Sequence, residues 1–511
     1  MKAVITTTVL ILLSGFVHSA EWFDNRAESD AESVLGWKVT VSPVREPAPS
    51  ESLHFRPPME KAVDRDALPF YDQASITFWR YWMDKVTKIA RDEEYLKEAV
   101  AETDREKRYK IFSARRMREM PLQTIWGERQ LFESLNISEA EKRRCIDELS
   151  EYFAQLDEAA RSTQFDRDGI HSVDRLQQLR NHARLLTVKS DVEIHEKKFD
   201  AACRTINVSY RMAEHLCQNA PVIDCLMAVA TQGAGQYQLV KLSEHPSAPS
   251  LFWALQELKA IPCESLEVFR NEYTQELSGR MPNFLKFADP DAASNEQAKA
   301  YLYSKEFTAS LIAEFVQDYD RPNAKEPDPK QFEEKFKTLL QRGEPIARRK
   351  LLADGLSRET VDVMSPEKAF LVATAREHKE FVDEAFRYFL CPYWIAQRKF
   401  KEFEKRAGPE ESTYVLPQLL TAINWLGLKE ALTRTQFQHD VLILIEAIRL
   451  YAGACDGKLP ATLADLEAMS LPVPQINPFT GKPYFWTKVG ERTLQLDGPG
   501  GFIWRYEITL R

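Results

Sequence analysis

Leu176-Gln177-Gln178-Leu179-Arg180-Asn181-His182-Ala183-Arg184-Leu185-Leu186 and, further on, Ala202-Cys203-Arg204-Thr205-Ile206-Asn207-Val208-Ser209-Tyr210-Arg211-Met212-Ala213-Glu214-His215-Leu216-Cys217 set the fold class. Leu176, Leu179, Ala183 and Leu186 recur at three- and four-residue steps, as do Ala202, Ile206, Tyr210, Ala213 and Cys217. Such spacing puts each set on one face of a helix, and a single apolar face must be buried against a neighbour. Asn219-Ala220-Pro221 follows as a turn, with Pro221 where a third helix begins and its missing N–H is harmless. Pro262 ends that next helix. Long helices with short connections pack antiparallel, in the manner of tetratricopeptide-like hairpins, although no clean repeat of fixed period emerges.

The pattern extends in both directions. From Ala67 to about Ser162 it is helical, opening on Phe70, Tyr71, Phe78, Trp79, Tyr81 and Trp82. Tyr71, Phe78 and Trp82 share a face and are expected as core. Beyond Asp289 helices resume, break at Arg321-Pro322-Asn323-Ala324-Lys325-Glu326-Pro327-Asp328-Pro329, and continue to about Trp425. A long helix from Leu428 to Tyr451 follows, with Val441, Ile445, Ile448 and Tyr451 on one side. The expected architecture is mainly α, with helical domains over 67–288 and 289–427.

After Gly453 the character changes. Asp456-Gly457-Lys458-Leu459-Pro460 is a turn, Thr462 to Met469 a short helix, and prolines punctuate an extended loop. Phe502, Trp504, Tyr506 and Ile508 then alternate with Arg505, Glu507 and Thr509, the period of a half-buried strand. Gly498-Pro499-Gly500-Gly501 turns into it from a strand at Thr493 to Leu496. Residues 428–511 are therefore expected as an α/β module: the long helix plus a two- or three-stranded antiparallel sheet.

At the other end, Met1-Lys2, an apolar run to Val17 and the exit His18-Ser19-Ala20 have the three parts of a secretory signal peptide. Cleavage is expected before Ala20, with cleavage after it as the alternative. The apolar run is short for a bilayer span, and retention as an anchor is the competing expectation. Residues 1–19 are assigned to the signal and 20–66 to an extended Pro-rich arm, as in Ser42-Pro43-Val44-Arg45-Glu46-Pro47-Ala48-Pro49. The expected location is periplasmic or secreted.

The 511 residues are 44% hydrophobic and 11% aromatic, enough for real cores. With 68 basic against 77 acidic residues the net charge is -9, a sign that disfavours nucleic acid and anionic membrane surfaces. No later segment carries a long uncharged apolar run, so no transmembrane segment is expected in the mature chain. The seven cysteines are widely spaced and odd in number, unlike the disulfide framework of a small scaffold. Cys217 and Cys225 flank the turn at Pro221 and are a candidate disulfide, with buried free thiols as the alternative. Cys203 and Cys217 lie about 21 Å apart along one helix, too far to bond.

Three stretches carry a resemblance: Glu446-Ala447-Ile448-Arg449-Leu450-Tyr451, Gly457-Lys458-Leu459-Pro460-Ala461-Thr462-Leu463-Ala464-Asp465-Leu466 and Asn477-Pro478-Phe479-Thr480-Gly481-Lys482-Pro483-Tyr484. Their order resembles a recurrent module of secreted proteins from planctomycetes and related bacteria, and is similar to the globular end of type II secretion pseudopilins. Leu176 to Leu242 looks like the helical part of the same uncharacterised family, so the resemblance spans about two-thirds of the chain. It implies export and this fold, and no activity. Pseudopilins begin on a prepilin-type helix, whereas here the module closes a long chain. Where some of them bind calcium, this chain offers only Asp497.

Motifs for chemistry fail one by one. His195-Glu196-Lys197-Lys198-Phe199 starts like a zinc-protease helix, but Phe199 replaces the second ligand. Asp191 and His195 lie one turn apart as a carboxylate–imidazole pair without a third partner. Ser365-Pro366-Glu367-Lys368 matches Ser-x-x-Lys, but its residues suit a helix cap. Gly453 to Lys458 lacks the Ser or Thr that a phosphate loop needs. Phe165-Asp166-Arg167-Asp168-Gly169 begins like a calcium loop, but Arg175 stands where a bidentate glutamate is required. His171 and His182 share a face but lie about 16 Å apart.

No catalytic, cofactor-binding or metal-ligating residue is therefore assigned, and no cofactor is expected. The leading expectation is a non-enzymatic interaction or structural protein with protein partners in the cell envelope. The alternative is an exported hydrolase whose site is assembled from distant residues, for which His182, His195 or the Asp166/Asp168 pair beside a nucleophile would be the sign.

Overall fold

The computed structural model describes residues 36–46, 53–55, 62–90, 138–166, 173–218, 222–258, 284–304, 329–407, 425–497 and 505–511. The signal segment 1–19, the turn at 219–221, Pro262, the 321–328 break, Asp168, His171, Phe502, Trp504 and the 498–501 turn lie outside them. The described chain is mainly helical with a small mixed sheet.

Strand β1 is Gly36–Val41 and β2 is Val63–Asp66. Helix α1 spans Leu68–Ala90, α2 Glu139–Glu148 and α3 Ser150–Ala160, followed by β3 at Ser162–Gln164. Helices α4 (Val173–His195), α5 (Phe199–Cys217), α6 (Val222–Glu244) and the short α7 (Phe252–Glu257) come next. After a 3-10 turn at Phe284–Ala288 come α8 (Asn295–Leu302), α9 (Pro329–Ala353), α10 (Arg358–Asp362), α11 (Pro366–Leu390) and α12 (Tyr393–Ala407). The long α13 (Trp425–Ala454), α14 (Leu463–Glu467), β4 (Trp486–Lys488), β5 (Thr493–Asp497) and β6 (Arg505–Leu510) close the chain.

The chain divides into two compact units that are not consecutive segments. The larger holds β1–β3, α1–α7, α13 from Arg434 onward, α14 and β4–β6. The smaller holds the 3-10 turn, α8–α12 and the first turns of α13.

In the larger unit α4, α5 and α6 pack on one another, and α1 packs on α3. The stripes Leu176/Leu179/Ala183/Leu186 and Ala202/Ile206/Tyr210/Ala213/Cys217 are buried, as are Tyr71 and Phe78 on α1. Burying each large apolar side chain contributes roughly 1.5–3 kcal/mol, so these stripes supply the drive for helix association. Local signals set the ends: the Asp66 carboxylate accepts from Leu68 N–H at 3.0 Å, and Ser138 and Glu141 form a reciprocal capping box at α2.

The sheet differs from the antiparallel pair or triplet expected of 428–511. Four strands lie in the order β1-β6-β5-β4. β4, β5 and β6 pair antiparallel, and β1 adds in parallel along β6, with Val39 opposite Ile508 and Val41 opposite Leu510. Val39, Val41, Leu494, Leu496, Tyr506, Ile508 and Leu510 are all buried. β1 and β2 both come from residues 20–66, the stretch expected as an extended arm. β2 pairs in parallel with β3. The physical reason is that parallel pairing needs no nearby turn, so nothing beside Gly36–Val41 marks its partner at the far end of the chain.

Just past β1 the chain runs against α13. Val44 N–H donates to Arg449 O at 3.1 Å, and one helical turn on, a Cβ at Gly453 would collide with the Val44 carbonyl oxygen. Glycine is what allows this close backbone approach.

The smaller unit has its own core of Phe284, Phe287, Leu302, Phe336, Leu351, Phe370 and neighbours. No helix among the described residues is long and apolar enough to cross a membrane.

Candidate functional site

The most chemically capable cluster is a buried chain of hydroxyls and imidazoles inside the larger unit. Tyr71 and Ser75 project from α1, Tyr152 from α3, His182 from α4, His215 from α5, and Ser162 lies in β3. Tyr71, Tyr152, His182, His215 and Ser162 are all buried, and Ser75 is half-buried.

Tyr152 OH lies 2.7 Å from His182 Nδ1, and Ser75 Oγ lies 3.1 Å from His182 Nε2. Tyr71 OH lies 2.9 Å from His215 Nδ1, and His215 Nε2 lies 2.9 Å from Ser162 O. Proton positions follow from satisfying every donor. A carbonyl oxygen only accepts, so His215 carries its proton on Nε2 and its Nδ1 accepts from Tyr71 OH. Among the described residues Tyr152 OH has only His182 Nδ1 within hydrogen-bond distance, so it is assigned as donor there, and His182 too is assigned its proton on Nε2. That N–H reaches both Ser75 Oγ and the backbone carbonyl of Tyr71. Ser75 Oγ in turn donates to Tyr71 O at 3.0 Å.

Both imidazoles are held neutral. Burial pulls His182 down to about 3, against the hydrogen bond to the Tyr71 backbone. Burial likewise pulls His215 down to about 4, and Arg211 nearby adds to it. Burial also pushes the Tyr71 and Tyr152 hydroxyls well above their usual range. The rings support the chain: Tyr71 stacks on His182 with centroids 6.3 Å apart, and Phe165 stacks on His215 at 5.9 Å.

With these tautomers Ser75 and His182 are not set as a nucleophile and its base. A serine nucleophile needs its hydroxyl to give a proton to the imidazole. Here His182 Nε2–H donates hydrogen bonds to Ser75 Oγ and Tyr71 O, and Nδ1 accepts from Tyr152 OH. What the arrangement does is tie α1, α3, α4, α5 and β3 together through groups that, Ser75 apart, are buried.

Two further buried polar centres lie along α13. Glu446 and Arg449, both with fully buried side chains, pair at 2.7 Å. Glu446 also accepts from Ser243 Oγ at 2.6 Å and Leu251 N–H at 2.9 Å; Arg449 donates to Ala248 O at 2.9 Å and Ser42 O at 3.1 Å. Asp440 accepts from Tyr484 OH at 2.9 Å and Gln436 Nε2 at 2.7 Å, and burial lifts its carboxyl to about 6. Glu446, Arg449 and Tyr484 belong to the stretches quoted for the resemblance, so those motifs here carry interior polar bonds.

The residues weighed from sequence fall elsewhere, His182 excepted. His195 is exposed at the end of α4. Asp191 pairs not with His195 but with Lys241 at 2.7 Å and Lys142 at 3.4 Å. Asp166 is exposed, and its N–H donates to Asp66 Oδ1 at 2.8 Å. Ser365 is the N-cap of α11, accepting from Lys368 N–H at 3.2 Å, with Pro366 opening the helix. The Gly453–Lys458 stretch ends α13, with Asp456 and Gly457 in the left-handed region. Among the described residues no group of three His, Cys, Asp or Glu side chains is placed to hold a metal ion. Tyr71 belongs to an aromatic face legible in the sequence, but nothing there marks Ser75, Tyr152 or His215, because the meeting of these side chains depends on contacts up to 144 residues apart in sequence.

Comparison with known protein families, with curated proteins and with solved structures finds no match to this chain.

Proposed function

We propose that the chain is an exported, non-enzymatic interaction or structural protein of the cell envelope, built on tetratricopeptide-like helical hairpins. The observation that carries the reading is the proton direction at His182: the serine–histidine pair in the larger unit is wired as a structural bond. Glu446 and Arg449, neighbours on α13, extend the same principle through their bonds to Ser243, Leu251, Ala248 and Ser42, as does Asp440–Tyr484 between α13 and the loop before β4. An outward face of α1 supports the interaction role, because Ile76, Trp79 and Met83 are exposed there and Trp79 stacks on Trp82 at 4.4 Å. Export and envelope location rest on Met1 to Ala20 and on the resemblance to secreted, pseudopilin-like modules.

The test is to treat the purified full chain and Ser75→Ala with a fluorophosphonate serine probe and a panel of ester and peptide substrates. The proposal expects neither protein to be labelled and neither to turn over substrate. Labelling of the wild type that disappears in Ser75→Ala establishes the hydrolase alternative. Fractionation and N-terminal sequencing of the tagged chain test export separately, with a new terminus at Ala20 or Glu21 as the expected result.

A further inference from the structure

We propose that Cys217 and Cys225 are a disulfide-forming pair that staples the end of α5 to the first turns of α6. Cys217 is the last residue of α5, and Cys225 follows closely on the start of α6 at Val222. The helices pack on each other, and both cysteines are free and buried there, the two thiols close enough to interact. Other pairings compete poorly. Cys203 lies fourteen residues back on the same helix, about 21 Å away at the helical rise. Cys145 is engaged with the Tyr81 hydroxyl.

The oxidant class is a small-molecule disulfide such as oxidised glutathione. One cysteine, as thiolate, attacks a sulfur of that disulfide, releases one small thiol and becomes a mixed disulfide; the second cysteine then displaces the other small thiol. Two protein thiols and one oxidant disulfide become one protein disulfide and two small thiols, with protons and electrons balanced. In the folded reduced chain the hydrogen bond from Cys225, together with burial, holds Cys217 well above the ordinary thiol range. Thiolate is the reactive form, so the bond is made while the hairpin assembles and is shielded afterwards.

The experiment refolds the full chain from its reduced, denatured state with oxidised glutathione, blocks remaining thiols under denaturing conditions and maps tryptic peptides. Arg211 and Lys241 bound one tryptic peptide containing both cysteines. The expected result is that this peptide carries no label and is about 2 Da lighter than its dithiol form. Cys203→Ser retains that result, Cys225→Ser abolishes it, and the oxidised wild type unfolds at a higher temperature than the same protein after reduction. Label on both Cys217 and Cys225 after oxidative refolding overturns the proposal, as does linkage of either to another cysteine. Equal unfolding temperatures for the two forms overturn the stapling role.

Discussion

His182 stands 3.1 Å from Ser75, Nε2 to Oγ, and gives that hydroxyl a hydrogen bond instead of taking its proton. The orientation is imposed from the other side of the ring, where Tyr152 OH donates to Nδ1 at 2.7 Å. With that orientation the pair is one link of an interior hydrogen-bonded chain.

Removing the imposing hydroxyl should therefore cost more than removing the serine. Tyr152→Phe leaves a buried imidazole nitrogen without a donor and is expected to destabilise the larger unit by about 1–3 kcal/mol. Ser75→Ala leaves His182 Nε2–H with the Tyr71 carbonyl and is expected to cost about 1 kcal/mol or less. Urea unfolding followed by tryptophan fluorescence measures both. A larger loss for Ser75→Ala contradicts the proton assignment.

Acid should weaken the larger unit. Burial pulls His182 to about 3 and His215 and His439 to about 4, all below the unfolded value near 6.5. As pH falls below that value the unfolded chain takes up protons that the folded chain refuses, so this stability is complete above about pH 6.5 and declines towards pH 4. Asp440, lifted to about 6, works in the opposite direction: its contribution favours the fold in acid and is lost as pH rises from about 4 to 6. Glu244, also raised by burial, acts in the same direction as Asp440, but three histidines outweigh these two carboxyls, so unfolding free energy is expected to fall between pH 6.5 and 4.5. Asp440→Asn removes part of the offset and should steepen that fall. A flat profile across this window contradicts the burial of neutral histidines.

The Glu446–Arg449 pair should show the asymmetry of a buried ion pair. Arg449→Met alone strands a buried carboxylate and is expected to cost about 3–5 kcal/mol, whereas Glu446→Gln combined with Arg449→Met recovers a large part of the loss. A double-mutant cycle by chemical denaturation reads the coupling. Additive losses would mean that the two side chains act independently.

Gly453→Ala places a methyl group against the Val44 carbonyl and should push residues 42–46 off α13. The expected cost is about 1–3 kcal/mol, with faster chymotryptic cleavage at Trp37 in the adjoining strand β1. Unchanged cleavage would show that the close approach is dispensable.

Helical periodicity made the α4–α5 region legible because a buried face repeats every three to four residues, and both stripes quoted from the sequence are buried. The cap role of Ser365 was legible for a similar reason, since all its partners are local. β1 was not. Val39 and Val41 do alternate with Lys38 and Thr40, but the stretch is short, sits beside a Pro-rich run and pairs with β6 at the opposite end of the chain. The polar network was hidden for the same physical reason: Tyr71 meets His215 across 144 residues, and a single histidine within an apolar stripe carries no sign of the hydroxyl that will face it. Of these residues the sequence marks His182, and Tyr71 as one of an aromatic face, but the role of His182 depends on the groups at both its nitrogens.

The most direct test is the tautomer of His182, read from the nitrogen chemical shifts of a chain carrying isotope-labelled histidine, with His182→Gln providing the assignment. The expected result is a neutral ring with its proton on Nε2, unchanged between pH 8 and pH 5. A ring protonated on Nδ1 with Nε2 open to the Ser75 proton, or one that titrates near its ordinary value, would contradict the structural role and restore Ser75 as a nucleophile.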